Sequence, residues 1–166
     1  MTAIATGPGC RSFISIPPDH GVGPEGRELR QRVVEAGDEV LRSETHGDSL
    51  RRSLSAIDGV CAECSVENWD GYGAGPVSEA TRYYARQFVR MLPTSMPIPE
   101  ISAEPDGEIA FEWHRGRSGV FSISVGGSDE LTYAGLFGRS KAYGTEFFDD
   151  ELPETIATHL RRLFSQ

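Results

Sequence analysis

The sequence predicts an α+β two-layer sandwich, an antiparallel meander of four or five strands covered on one face by two or three helices. Three observations predict it. From Asp48 to Leu92 apolar residues recur at helical spacing. From Gly107 to Phe137 the rhythm changes to two residues, the period of a half-buried strand. From Asp149 onward the helical period returns. Strands with one apolar face need a cover, and amphipathic helices supply it.

Taken in order, residues 1–26 carry Gly7, Pro8, Gly9, Pro17, Pro18, Gly21, Gly23, Pro24 and Gly26. So many breakers exclude a long helix or a central strand, so 1–26 reads as a flexible or irregular arm and 27–166 as a single α+β domain. GRELRQRVVEAGDEVLRSE, at 26–44, is a short helix candidate through Leu29, Val33, Val34 and Val40, weakened by Gly37. A firmer helix starts at Asp48 or Ser49, either of which can cap it. Leu50, Leu54, Ile57, Cys61 and Cys64 follow as one stripe, with Gly59 its weak point. Next, Pro76 fits a first turn and Ser78 is an alternative cap. Ala80, Tyr84, Phe88, Met91 and Leu92 form the expected inner face of that helix, and Pro93 ends it.

The strands come next. Ile109, Phe111 and Trp113 alternate with Glu108, Ala110, Glu112 and His114. Phe121, Ile123 and Val125 alternate with Val120, Ser122 and Ser124, and Leu131, Tyr133 and Phe137 share a face. EPDG at 104–107, the glycines at 116 and 119, and GGSD at 126–129 supply tight turns, which force antiparallel neighbours. Further strands are expected within 98–104 and 142–147. Leu152, Ile156, Leu160, Leu163 and Phe164 make the inner stripe of the closing helix. Asp149 and Asp150 sit at its start and Arg161 and Arg162 at its end, as the helix dipole favours.

The chain has 166 residues and a formal net charge of −9. The acidity is spread out: ten Lys/Arg face fourteen Asp/Glu in residues 1–100, and six face eleven in 101–166. Such a surface repels phosphate backbones, so direct nucleic-acid binding is not expected, and a basic protein partner suits it better. No apolar run spans a membrane, and the N-terminus lacks a secretory pattern. Cysteines are sparse and odd in number (Cys10, Cys61, Cys64), which fits a reducing, cytoplasmic setting.

Candidate chemistry lies in two places. ENWDGYGAGP, at 67–76, offers Asp70 as a base and Trp69 and Tyr72 as a stacking platform. The plainer reading is a structural corner, with Trp69 as anchor, Asp70 bonding its own turn and the glycines taking special angles. Glu108, Glu112 and His114 share a strand face, either as an acid–base group or as a solvated sheet face that can dock a partner. The Cys61–Cys64 pair falls on the apolar helix stripe and has no second ligand pair, so it reads as core and not as zinc or redox. Arg82, Arg86 and Arg90 form a stripe read as a solvated helix face. No nucleotide-binding or hydrolase motif is present, and neither metal nor cofactor is expected.

NWDGYGA at 68–74, PDGEIAFEW at 105–113, TYAGLFG at 132–138, YGTEFF at 143–148 and LP at 152–153 together resemble a loose group of uncharacterised bacterial proteins. The resemblance implies a shared fold and a bacterial or phage cytoplasmic origin, and it assigns no activity. The leading expectation is therefore a non-enzymatic acidic protein that binds another protein in an accessory, antitoxin-like or inhibitor-like role. Two alternatives stand beside it. One is a small hydrolase or transferase using Asp70, Glu112 and His114. The other is a structural homodimer built on the sheet.

Overall fold

The structure is a computed structural model that describes residues 24–165. Of the expected arm 1–26, residues 1–23, with Cys10 and His20, lie outside the described residues, and residues 24–26 are helical. The chain divides into two units, Met1–Leu41 and Arg42–Gln166, and each is described by itself.

One helix, α1 (Pro24–Glu63), runs where the sequence predicted two. It passes through Gly37 and Gly47 without a break. A helical glycine costs about 1 kcal/mol but removes no hydrogen bond, unlike proline, so it weakens a helix without ending it. A Cβ added at Gly47 or Gly59 would meet nothing within 4 Å, so neither glycine is there for close packing. Val33 and Val34 are exposed, so the apolar stripe expected at 26–44 is not a buried one there. The later stripe is as predicted: Ile57, Cys61 and Cys64 are buried, and Leu50 and Leu54 pack at the margin of the core.

Helix α2 (Glu79–Met91) is capped by Ser78, whose Oγ accepts the Thr81 N–H at 3.0 Å. Pro76 therefore precedes the helix and does not sit in its first turn. The inner face also differs from the expected one. Thr81, Ala85, Phe88 and Val89 are buried, while Ala80 is exposed and Tyr84, Met91 and Leu92 are half-buried. Small side chains at Thr81 and Ala85 let the backbone approach the core closely, which suits the inner face better than bulk does. Asp58 of α1 ties the two helices together. It accepts from Arg86 Nη1 at 2.8 and 2.7 Å and from Arg82 Nε at 3.0 Å. The arginine stripe is thus partly spent on an inter-helix clamp.

The five strands are β1 (Glu100–Ala103), β2 (Ile109–Arg115), β3 (Gly119–Val125), β4 (Glu130–Phe137) and β5 (Ser140–Phe147). They lie in sequence order in one antiparallel sheet. Registers Ile101↔Phe111↔Ile123↔Tyr133 put one row of apolar residues on a common face. Phe111, Phe121, Ile109, Ile123 and Val125 on that face are fully buried. Helix α2 and the closing helix α3 (Glu154–Phe164) roof it, with α2 against β2 and β3 and α3 against β3 and β4. From α3 come Ile156, Leu160 and Leu163, as predicted. The α3 N-cap is Pro153 without a side-chain cap, so Asp149 and Asp150 lie ahead of the helix. The proline-rich connector is pinned by Trp113, whose Nε1 donates to Pro97 O at 2.9 Å.

Candidate functional site

The decapeptide 67–76 is built from its own hydrogen bonds. Asp70 Oδ1 accepts the N–H groups of Tyr72 at 2.7 Å and Ala74 at 3.1 Å. Those bonds, the Tyr72 one first, hold its carboxyl below the usual range. Asn68, at φ +60°, accepts from Gly73 N–H with its side chain at 2.7 Å, and Gly71 and Gly73 also take positive φ. Trp69 packs against the core and donates to Gly75 O at 2.9 Å. Tyr72 is 94% exposed. The loop also docks on the β1–β2 turn: Gly75 N–H donates to Pro105 O at 2.7 Å. A Cβ at Gly107 would lie 2.7 Å from Pro76 O, which explains the glycine. The side-chain bonds of Asn68, Trp69 and Asp70 therefore hold the corner.

Glu112 and His114 sit on the other side of the sheet. They alternate with buried Phe111 and Trp113 and pair with Ser122 and Val120. His114 Nε2 lies 2.6 Å from Glu112 Oε1 and 3.8 Å from Glu100 Oε2. Glu100 is the cross-strand partner of Glu112, which is why it joins the group. Nothing in the linear pattern pointed to Glu100, since only the β1–β2 register brings it there. No hydrogen bond or ion pair joins Asp70 to Glu112 or His114 among the described residues.

Glu108 departs from the expected group. It precedes β2 and clusters with Glu104 and Asp106 at the turn, with its N–H donating to Asp106 Oδ1 at 3.1 Å. Burial, then the charges of Asp106, Glu104 and Glu130, push its carboxyl upward. A strand advances about 3.3 Å per residue, so four residues along β2 separate Glu108 from Glu112 although both point to the same side. Each cluster, Glu100–Glu112–His114 and Glu104–Asp106–Glu108, brings three metal-capable side chains within 4.8 Å of one another. The imidazole and two carboxylates of the first suit a transition metal, and the three carboxylates of the second suit a hard cation. In the first, His114 Nε2 and Glu112 Oε1 already lie in contact at 2.6 Å.

Around Glu112 and His114 the open face carries Val120, Ser122, Ala134, Leu136, Lys141 and Tyr143, which line a shallow concavity. Tyr143 is 83% exposed and Phe147 65%. Cys61 and Cys64 are free and buried, and burial pushes both thiols up, away from a reactive thiolate. No helix among the described residues is long and apolar enough to cross a membrane. The chain matches no protein-family model, and no curated protein or solved structure matches it significantly.

Proposed function

We propose that this is a non-catalytic binding protein whose open sheet face docks another protein through a basic patch. The observation that carries the reading is the asymmetry of the sheet. One face is roofed and dry. The other presents Glu100, Glu112 and His114 beside Val120, Leu136 and Tyr143, a mixture of charge and apolar surface typical of a docking site. The net charge of −9 steers a basic partner toward the molecule and disfavours nucleic acid. An acid–base enzyme built on Asp70, Glu112 and His114 draws no support, because Asp70 is committed to its own loop.

The test is affinity capture with the purified protein as bait, comparing wild type with Glu100→Lys/Glu112→Lys and with the remote control Glu67→Lys. A protein held by wild type and Glu67→Lys but released by the double reversal supports the reading. Equal retention by all three, or retention of nothing, counts against it.

A further inference from the structure

The two edges of the sheet are unlike each other. The β1 edge is four residues long, preceded by Pro97 and Pro99 and followed by Pro105, so little backbone is offered there. The β5 edge is eight residues long, contains no proline and pairs with β4 along its whole length.

Antiparallel pairing alternates bonded and non-bonded residue pairs. Phe148 donates its N–H to Asp129 O at 2.9 Å. Counting back through Glu146↔Leu131, Gly144↔Tyr133 and Ala142↔Gly135, the even-numbered residues of β5 face β4. Lys141, Tyr143, Thr145 and Phe147 therefore turn their N–H and C=O groups toward the free edge. Such a row is a template for another strand.

We propose that β5 pairs antiparallel with β5 of a second copy, about a two-fold axis at Gly144, joining the two sheets into one. This register is the one that uses every free group of the edge. Lys141 then faces Phe147 of the second copy and Tyr143 faces Thr145, each pair exchanging both backbone bonds. On the roofed side Ala142 faces Glu146, and the two Gly144 residues meet at the axis with no side chain between them. No like charges stand opposite one another, and the lysine lies against an aromatic ring, a favourable contact. The proposed docking face is left open, since the new contact is at the edge.

Sedimentation of the full chain, over a concentration series up to roughly 1 mM, which reaches even a weak dimer, tests the proposal. Wild type should pass from 18.1 kDa toward twice that mass. Added salt should shift the series toward dimer by screening the repulsion between two chains of charge −9. Thr145→Pro removes an N–H that β4 does not use and should hold the chain monomeric with its cooperative melt retained. Should that variant fold poorly, charge exchange carries the test. Phe147→Lys sets two cations opposite each other and should break the dimer, and Phe147→Lys/Lys141→Glu should restore it. A wild type that stays monomeric throughout, a well-folded Thr145→Pro that still dimerises, or a double variant that fails to recover would overturn the proposal.

Discussion

Phe111→Ala is the sharpest probe of how the sheet is held. Phe111 is 0% exposed, in the middle of β2, with Ile101 and Ile123 as its cross-strand neighbours on the roofed face. Its ring centroid lies 4.9 Å from that of Phe88 on α2, at a tilt of 55°. Truncation removes an aromatic side chain and leaves a hole between a sheet and a helix. Neither can collapse into it, because the sheet is held by ladders on both sides and α2 is clamped through Asp58. Buried Phe→Ala changes cost about 3–5 kcal/mol. That is a large share of the roughly 5–15 kcal/mol that stabilises an ordinary domain. In a thermal melt it corresponds to a drop of roughly 10–20 °C. The assay is urea unfolding followed by circular dichroism, with Ser122→Ala, on the open face, as the control. Ser122→Ala should stay within about 0.5 kcal/mol of wild type. A loss below about 1 kcal/mol for Phe111→Ala, or an equal loss for both, would refute the assignment of faces.

Three further outcomes follow from the same packing. Gly107→Ala forces a Cβ onto a residue at φ +87° and against Pro76 O, and should cost more than about 1–2 kcal/mol in urea unfolding. At Asp58, burial works against the charged form, but the hydrogen bonds from Arg86 and Arg82 outweigh it and lower the carboxyl pKa. Its stabilisation is thus present above the ordinary value of 3.8 and lost as pH falls through the folded value; Asp58→Asn should remove about 1 kcal/mol at neutral pH, allowing for its exposure, and flatten that acid limb. The His159 ring packs against Phe121, Tyr133 and Phe137, and its Nδ1 is buried without a partner. Burial, with Arg162 adding to it, lowers its pKa below 6.5, so it supports the fold fully above 6.5 and less as pH falls further, and His159→Phe should weaken the dependence of urea midpoints between about pH 7.5 and pH 5.

The strands were legible because Ile109, Phe111 and Trp113 recur at every second residue and the turns carry glycines where positive φ is needed, as at Gly107 and Gly116. The structural role of Asp70 and Trp69 was legible too, since the bonds involved span only two to six residues. Two helical features were not. The helix at 26–44, weakened by Gly37, read as separate from the one starting at Asp48 or Ser49 because propensity is local, while helix continuity is cooperative along the whole segment. On α2, Phe88 is buried and Tyr84, Met91 and Leu92 pack against the core as expected, but Thr81, Ala85 and Val89 were missed because their burial depends on contact with the sheet. Glu100 could be found, and Glu108 set apart from Glu112, only once the β1–β2 register was known, because that pairing is a tertiary fact.

Hydroxyl-radical footprinting of the native protein tests the central claim, that one sheet face is roofed and the other open. Tyr143, Phe147 and His114 should oxidise readily, while Phe111, Trp113 and Phe121 should be protected until the protein unfolds. Fast oxidation of Phe111 and Phe121 in the folded state, with Tyr143 and His114 shielded, would contradict it.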